Sequence, residues 1–434
     1  MKRTIEREVS WDVVVIGGGP AGMIAAGRAA ELGSRVLLLE KNDRPGEKLL
    51  ITGGGRSNIT NHQLQVRSFL EKFSESAKFL FSPFSQFAVK ETLDFFHALG
   101  METKLEAEGR VFPATEKAET VQQTLIAYMK HGAVTVRLHA EVKDFVVRNN
   151  MITGVELAGG EIISARSVIL ATGGRSHPET GSTGDGFRFL AKLGHHIQKS
   201  EASLVPIRTK EEWTHKFSGL AFSDAKVTLT IDNVKSDSAV GKILFTHFGL
   251  SGPLILNMSS RIKAALEEGK VTLSIDLFPK LDNGALDRMV QEIFRVDQNK
   301  QLKNTLGTLV PNRISTMIPE ILALDGEKEV NKVAKEERIK IVKWLKAIPL
   351  TPTGLLGAHN AIVTSGGIPL DEVETSTMRS TICPNLYLVG DILDINRPSG
   401  GYSLQLCWTT GWVAGNHAGK ITHDSTHPKE TKKA

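Results

Sequence analysis

Three glycines near the start of the chain have the spacing of a turn that binds a dinucleotide phosphate. Gly17, Gly19 and Gly22 form the pattern G-x-G-x-x-G between an apolar run and an alanine-rich segment. The first glycine permits a tight turn, the second lets the backbone approach a diphosphate, and the third lets a helix pack on a strand. The N–H groups at the start of that helix, where Pro20 and Ala21 lie, can bind phosphate oxygens.

An acidic residue stands where such a site needs one. Glu40 follows the apolar run Val36 to Leu39 and lies 18 residues beyond Gly22, with Lys41 next to it. A carboxylate at the end of a second strand can accept hydrogen bonds from both hydroxyls of a ribose. The glycine pattern alone is weak evidence, and an ordinary strand-to-helix turn would not require the acid. Together, the strand, the helix and the acid predict a dinucleotide site.

A second glycine run lies about thirty residues further on, in the stretch ITGGGRSNIT at 51–60. Its three glycines are followed by Arg56, Ser57 and Asn58. Missing side chains expose backbone N–H groups, and the residues that follow can add charge and short hydrogen bonds. Such runs are also common in simple turns, with the arginine in solvent. The residues by themselves leave both interpretations open.

The first glycine pattern needs a strand, a helix and a second strand to hold it. Residues 12–16 are a short apolar run, as a strand buried on both faces requires. The segment from Pro20 to Leu32 is helical in character, and Gly33 is suited to end it. Val36 to Leu39 then predicts a second buried strand. These elements form a βαβ unit, which indicates a Rossmann-like fold.

A β-meander is predicted later in the chain. AVTVRLHAEV, at 133–142, predicts a strand, and the residues up to 165 predict three short strands separated by Asn-Asn and Gly-Gly turns. SVILATGG, at 167–174, predicts a further buried strand that ends on glycines. The meander would therefore serve as a crossover within the sheet.

The 434 residues are too many for one simple core, and the pattern changes twice along the chain. We expect an α/β fold whose Rossmann-like domain is built from residues 1–190 and 355–422. An inserted domain at 191–354 would interrupt it, and residues 423–434 would form a polar tail. Within the insertion we expect 191–282 to be mainly β and barrel-like, and 283–354 to be mainly helical.

The composition excludes several classes of protein. The net charge is +5 and the sequence pI is about 9.0, which does not argue for nucleic acid in a chain of this size. Two distant cysteines disfavour a disulfide framework, a cysteine zinc site and a dithiol redox couple. The N-terminus has no apolar signal region, and no segment has the length of a membrane span. We therefore expect a cytoplasmic protein with no membrane partner.

Two later segments make the chain resemble the two-dinucleotide-binding-domain flavoproteins. These are SVILATGG and LYLVGD, at 167–174 and 386–391. Further stretches narrow the resemblance to the BaiN-type, or aminoacetone-oxidase-family, FAD-binding flavoproteins. They are KLLITGGGRSNITN, SHPETGSTGDGFRFLAKLGHHI, LFTHFGLSGPLIL, IVTSGGIPLDEV and SGGYSLQ. The resemblance covers about residues 11 to 418. It implies FAD as the cofactor, running from the first glycine turn to the glycine loop near the C-terminus.

The resemblance also implies where the cofactor binds. Residues 48–60 would wrap it near the diphosphate and the flavin, with Lys48 and Arg56 supplying positive charge. Val142 would hold the adenine through its backbone, and the loop at 401–404 would lie at the pyrimidine side of the flavin. The predicted cofactor-binding residues are Gly17, Gly19, Pro20, Ala21, Gly22, Glu40, Lys41, Lys48, Gly54, Gly55, Arg56, Ser57, Asn58, Thr60, Val142, Thr172, Gly173, Gly174, Asp391, Gly401, Tyr402, Ser403 and Leu404.

The chain departs from the family pattern at several positions. The family usually carries Cys where Ser57 stands, Tyr at His177 and Asn at Ser403, and the pair Arg397-Pro398 looks individual to this chain. His177 and His247 are open candidates for a proton donor, although histidines in such loops are commonly just solvated. We identify no catalytic residue and expect no metal, since the thirteen histidines show no ligand spacing.

The function that the resemblance implies is an FAD-dependent oxidoreductase. It would reduce a conjugated double bond or oxidise an amine in a small organic substrate, by hydride transfer through flavin N5, with NAD(P)H as a possible transient donor. Two alternatives stay open: a flavin-dependent RNA-modifying enzyme, and a non-enzymatic FAD-binding redox sensor. The chain has no obvious basic helical C-terminal domain, so we expect no nucleic-acid partner.

Overall fold

The computed structural model describes residues 11–356 and 363–420. The chain divides into two compact units, with boundaries after Ala202 and Ala361. Unit 1 contains the described residues before the first boundary and after the second, and unit 2 contains those between. The insertion was expected at 191–354, so unit 2 begins 12 residues later and ends 7 residues later than expected.

The strands of the described residues follow in chain order. They are β1 (Trp11–Ile16), β2 (Val36–Leu39), β3 (Thr60–Asn61), β4 (Thr103–Leu105), β5 (Arg110–Pro113), β6 (Thr135–Arg137), β7 (Val142–Arg148), β8 (Met151–Leu157), β9 (Ile162–Leu170), β10 (Gln198–Ser203), β11 (Ile207–Thr209), β12 (Ala221–Ile231), β13 (Val234–Thr246), β14 (Gly249–Ser251), β15 (Val271–Asp276), β16 (Ile348–Leu350), β17 (Pro352–Leu355), β18 (Val363–Gly367) and β19 (Leu386–Leu388).

The α-helices of the same residues are given in the same way. They are α1 (Pro20–Glu31), α2 (Glu47–Leu50), α3 (Val66–Leu70), α4 (Ala77–Gln86), α5 (Val89–Ala98), α6 (Ala118–His131), α7 (Asp185–Lys192), α8 (Pro253–Glu268), α9 (Asn283–Val296), α10 (Leu302–Thr305), α11 (Asn312–Ser315), α12 (Ile318–Leu322), α13 (Lys335–Lys346) and α14 (Tyr402–Lys420).

Unit 1 is built on a sheet in which β6, β2, β1, β9 and β19 run parallel in that spatial order. The strands β1 and β2 are apolar because helices cover both faces of such a sheet. The first half of β9 pairs antiparallel with β8, which pairs with β7, and its second half pairs with β1 and β19. The α/β class and the meander crossover predicted from the sequence are confirmed.

Two details of the strand prediction are wrong. The last strand of the meander and the SVIL strand are one continuous strand, β9, because one strand serves both parts of the sheet. The stretch 133–142 is also not one strand. It contains the short β6, and β7 begins only at Val142.

The small residues of α14 serve the contact between two helices. A Cβ on Gly411 would lie 2.4 Å from the carbonyl oxygen of Ala21, and one on Gly415 would lie 2.4 Å from that of Ala25. Both alanines belong to α1. Close approach of the α1 and α14 backbones therefore accounts for these small residues.

Unit 2 contains an antiparallel sheet in the order β16, β15, β12, β13, β14, β11, β17. Its two outermost strands are consecutive in the chain and separated only by Thr351, so the edges of the sheet meet there and the sheet curls into a barrel. The helix α8 lies within 191–282, the part expected to be mainly β. The strands β16 and β17 lie at the end of the part expected to be mainly helical.

Candidate functional site

The carboxyl ends of the parallel strands bring four predicted segments to one edge of the unit 1 sheet. Gly17 follows β1, Glu40 follows β2, Thr172 lies two residues after β9, and Asp391 lies three residues after β19. Backbone hydrogen bonds continue the ladder past the strand ends, with the N–H of Gly17 bound to Leu39 at 2.8 Å. Ligands of open α/β sheets bind in the crevice outside this edge.

The first glycine turn is closed tightly on the protein side and open on the other. A Cβ on Gly22 would lie 1.9 Å from the carbonyl oxygen of Gly17, so only glycine allows α1 to start there. Gly19 precedes the first residue of α1, and a Cβ added to it would meet no protein atom within 4 Å. The free N–H groups at the start of α1 are therefore accessible to a ligand beside Gly19.

The Glu40 carboxylate is buried and fixed next to this turn. One oxygen accepts the backbone N–H of Gly18 at 2.7 Å, and the other accepts that of Asn42 at 2.9 Å. Each carboxylate oxygen can accept more than one hydrogen bond, so acceptor capacity remains for a ligand hydroxyl. Val142 lies two residues beyond Ala140, whose N–H binds the carbonyl of Glu40 at 2.9 Å.

The second glycine run forms a short loop between α2 and β3. Gly54 and Gly55 have φ of +68° and +84°, and a Cβ on Gly54 would meet no protein atom within 4 Å. Ser57 is fully buried and also has a positive φ of +57°, which is strained for a residue with a side chain. The buried Ser57 Oγ and Asn58 Oδ1 have no hydrogen-bond partner.

The loops from the two ends of the chain lie side by side in unit 1. A Cβ on Gly401 would lie 2.3 Å from the carbonyl carbon of Thr60. The Thr60 hydroxyl donates to Gln405 Oε1 at 2.6 Å, and Asn61 Nδ2 donates to the carbonyl of Gly400 at 3.1 Å. These contacts join the second glycine run to the glycine loop before α14.

A third segment, residues 172–185, completes the site. Lys48 Nζ donates to Ser176 Oγ at 2.5 Å, and Lys41 Nζ donates to Thr183 Oγ1 at 2.7 Å and to Asp185 at 2.9 Å. The buried Thr172 Oγ1 has no hydrogen-bond partner. Gly173 and Gly174, which follow Thr172, continue the loop at the end of β9.

Some predicted residues have other contacts. Arg56 donates to Glu106 at 2.7 Å and lies over the ring of Phe112, with 4.1 Å from its Cζ to the ring centroid. The ring of Tyr402 packs in the core against Phe69, at 4.8 Å between centroids, so its side chain is structural. Its backbone starts α14, next to Gly401. Leu404 is likewise buried.

The two histidine candidates have different surroundings. His177 lies in the third segment and its Nδ1 is 2.8 Å from the carboxylate of Glu179. His247 belongs to unit 2 and follows β13, where its ring contacts Phe248. Neither contact assigns a proton donor.

Arg397 is the residue of the site that sequence reasoning missed. Its guanidinium is fully buried and donates to Asp391 Oδ1, to Ser403 Oγ at 3.1 Å and to the carbonyl of Ile395 at 2.7 Å. Burial raises the pKa of Asp391, but the positive charges of Arg397 and Lys48 lower it by a larger amount. The pKa of Asp391 is therefore below its ordinary value. The isolated pair Arg397-Pro398 in the sequence was the one available signal.

Another hydrogen-bonded cluster in unit 1 contains a buried histidine. The buried His195 binds Glu372 through Nδ1 at 2.6 Å and Ser380 Oγ through Nε2 at 2.8 Å. Ser380 Oγ accepts the N–H groups of Ile382 and Cys383, so its hydrogen is free to donate to a neutral His195. Because Ser380 is only 2% exposed, this cluster is structural and not a nucleophile centre.

The described residues contain neither a helix able to span a membrane nor a metal-binding group of side chains. Among the helices of residues 11–356 and 363–420, none has the length and apolar character needed to cross a membrane. In the same ranges, no group of three or more His, Cys, Asp or Glu side chains is arranged to hold a metal ion.

These residues fit a long ligand that carries phosphate, hydroxyl and amide-like groups. The open face at Gly19 suits a diphosphate, and Glu40 suits a ribose. Three buried polar atoms without partners, on Ser57, Asn58 and Thr172, call for hydrogen bonds from a ligand. FAD has all of these groups, and Lys48 lies among the loops that would surround it.

Comparison with known proteins gives relatives along nearly the whole chain. A ribosomal RNA dihydrouridine synthase of Escherichia coli is 28% identical over 93% of this chain and 96% of its own. A 3-dehydro-bile acid delta(4,6)-reductase of Clostridium scindens is 28% identical over 93% of this chain and 98% of its own.

Solved structures share the fold. A flavocytochrome c3 fumarate reductase in its open conformation has a TM-score of 0.54 at 17% identity, covering 96% of this chain and 80% of that one. A 3-ketosteroid delta1-dehydrogenase from Sterolibacterium denitrificans has a TM-score of 0.51 at 14% identity, covering 95% of this chain and 100% of that one.

The family model described as the HI0933-like protein Rossmann domain matches residues 11–417. The resemblance to BaiN-type flavoproteins is confirmed, and so are FAD as the cofactor and an oxidoreductase activity. The chain therefore belongs to the HI0933-like family of FAD-dependent Rossmann-fold oxidoreductases.

Proposed function

We propose that this oxidoreductase reduces a carbon–carbon double bond conjugated to a carbonyl group in a small organic substrate. The observation that carries the proposal is the meeting of two glycine loops at the carboxyl edge of the sheet, with buried polar atoms of Ser57, Asn58 and Thr172 left for a ligand. When FAD is bound there, it supplies hydride transfer through flavin N5. The donor of the hydride would be NADH or NADPH.

The chemistry shared by the two relatives supports this direction. The name delta(4,6)-reductase describes removal of double bonds from a 3-dehydro-bile acid, and dihydrouridine is uridine with its ring double bond reduced. In uridine, and in a 3-keto steroid with double bonds at positions 4 and 6, the reducible bond is conjugated to a carbonyl. A hydride added to the far carbon of such a system leaves an enolate, which takes up a proton from solvent at the carbon next to the carbonyl, so the same chemistry serves both.

Different residues of the site would bind different parts of the cofactor. The start of α1 beside Gly19 would bind the diphosphate, Glu40 would bind the ribose of the adenosine half, and the second glycine run would lie against the flavin half. Lys48 and Arg397 would supply positive charge near the ring. Because the glycines leave no side chains in the way, the backbone can approach the cofactor and exclude water from it.

A second candidate function is reduction of uridine in ribosomal RNA. Two relatives carry the name ribosomal RNA dihydrouridine synthase, and this chain matches 96% of the length of each. The expectation of no nucleic-acid partner therefore stays a prediction. Amine oxidation would run the flavin chemistry in the opposite direction.

One set of experiments separates these candidates. The purified protein should be yellow, or become yellow with added FAD, and NADH or NADPH should bleach it without oxygen. Reoxidation of the bleached flavin by an enone, by undermodified ribosomal RNA or by neither then identifies the substrate class. For RNA, mass spectrometry should find a uridine with two added hydrogens. A protein that stays colourless with excess FAD would refute the proposal, and bleaching by an amine instead would reverse the direction of the reaction.

A further inference from the structure

A cluster of charged side chains lies next to the cofactor loops. We call Arg397, Asp391 and Lys48 the charge cluster. Arg397 is 0% exposed and holds Asp391 directly, and Lys48 Nζ lies 3.7 Å from the other oxygen of that carboxylate. Two cations and one anion leave one net positive charge.

The cluster connects several segments of the site. Asp391 follows β19, Lys48 lies on α2, and Arg397 belongs to the loop before α14, where it also donates to Ser403 at 3.1 Å. Lys48 reaches the third segment through Ser176 at 2.5 Å. A charge fixed at this junction lies among the loops that would surround FAD, and its three side chains are at most 20% exposed.

Two neighbouring cations are paired separately. Lys41 pairs with Asp185 at 2.9 Å, and Arg56 pairs with Glu106 at 2.7 Å. The Glu40 carboxylate keeps its negative charge and lies beside the first glycine turn, bound by two backbone N–H groups. Burial reduces screening by water and salt, so the excess charge of the cluster acts strongly on anything bound beside it.

We propose that the charge cluster raises the reduction potential of the cofactor in this site, with Arg397 as the residue that sets the charge. The inference rests on the proposed function, since it requires FAD between these loops. Transfer of a hydride from NAD(P)H to flavin N5 adds one hydrogen and one negative charge to the ring and leaves NAD(P)⁺. A fixed positive charge nearby stabilises that product more than the neutral oxidised ring.

The test uses charge changes of opposite sign at one contact. Arg397→Gln brings the net charge of the cluster to zero, and Asp391→Asn raises it to two. The double variant has the wild-type net charge, with Lys48 as the remaining cation. Each FAD-loaded protein is titrated with a reductant at pH 8 without oxygen, against a reference dye, and the FAD dissociation constant is measured in parallel.

We expect the potentials to follow the charge. Arg397→Gln should shift the equilibrium between oxidised and reduced flavin at least tenfold toward the oxidised form, which is about 30 mV for a two-electron couple. Asp391→Asn should shift it at least tenfold the other way, and the double variant should return close to the wild type. A merely structural role would weaken FAD binding in all three without ordering the potentials by charge.

Several outcomes would overturn the inference. The inference is wrong if both single variants hold FAD but shift the equilibrium between oxidised and reduced flavin in the same direction. It is also wrong if they shift that equilibrium by less than threefold. If Arg397→Gln does not hold FAD, Lys48→Gln removes a cation without breaking the Arg397–Asp391 contact, and an unchanged potential there also refutes it. Loss of FAD from both variants, with the wild type loaded, would make the cluster a structural element only. Absence of FAD from the wild type would refute the proposed function itself.

Discussion

The substitution Gly19→Ala separates the cofactor role of the first glycine turn from its role in the fold. Gly19 has φ of −71° and ψ of −179°, an extended conformation that alanine adopts freely. No protein atom lies within 4 Å of the added Cβ. The apoprotein should therefore lose at most about 1 kcal/mol of unfolding free energy, the cost of a poorer residue before a helix.

FAD binding should respond much more strongly. The added methyl group would occupy the space through which a diphosphate approaches the N–H groups at the start of α1. Loss of one hydrogen bond to a charged oxygen costs about 1.5–3 kcal/mol. At about 1.4 kcal/mol for each factor of ten, the dissociation constant should rise roughly 10- to 150-fold.

Gly159 offers a matched control. It also has no protein atom within 4 Å of an added Cβ and no positive φ, but it lies in the exposed turn between β8 and β9. Gly159→Ala should leave FAD binding unchanged. Fluorescence titration of the apoproteins with FAD gives both dissociation constants, and thermal unfolding confirms that both variants fold. Equal affinity of Gly19→Ala and wild type, or equal losses in both variants, would refute the placement of the diphosphate.

Three further predictions follow from single contacts. Ser57→Ala removes a buried hydroxyl without a hydrogen-bond partner, so denaturant unfolding should show an apoprotein about 1 kcal/mol more stable. Titration with FAD should show weaker binding. A variant that is both less stable and weaker in FAD binding would contradict the assignment. Gly411→Ala places a Cβ 2.4 Å from Ala21 O and should cost about 1–3 kcal/mol of stability, whereas an unchanged unfolding midpoint would exclude a tight α1–α14 contact. Burial lowers the pKa of His195, so the unfolded chain binds the proton more tightly. Stability from His195 should be complete above about pH 6.5 and fall as the pH drops through its lower folded pKa, and His195→Gln should lose that part of the slope.

The parts of the structure that were predictable from the sequence depend on residues close together in the chain. The pattern of Gly17, Gly19 and Gly22 with an acid at Glu40 describes one βαβ unit, and the structure contains it with Glu40 bound to the turn at 2.7 Å. The spacing of nearby residues predicts that unit because its two strands are neighbours in the sheet. The meander was predictable for the same reason, since its neighbouring strands are joined by short turns.

Contacts between distant parts of the chain were not available in the same way. Thr60 and Gln405 are 345 positions apart, and no local pattern predicts their hydrogen bond. The role of Arg397 was missed for a related reason, since a buried guanidinium is recognisable only once Asp391 and Ser403 are seen beside it. Likewise, the adjacent residues His195 and His196 give no sign of Glu372, which binds both.

Binding of FAD would also add to the stability of the folded chain. Buried polar atoms without partners each cost about 1–3 kcal/mol, and the site has such atoms on Ser57, Asn58 and Thr172. Their sum is on the order of the whole stability of a typical domain, about 5–15 kcal/mol. Ser57 adds the strain of a positive φ at a fully buried position. A ligand that completes the hydrogen bonds of these atoms would therefore stabilise the folded chain as it binds.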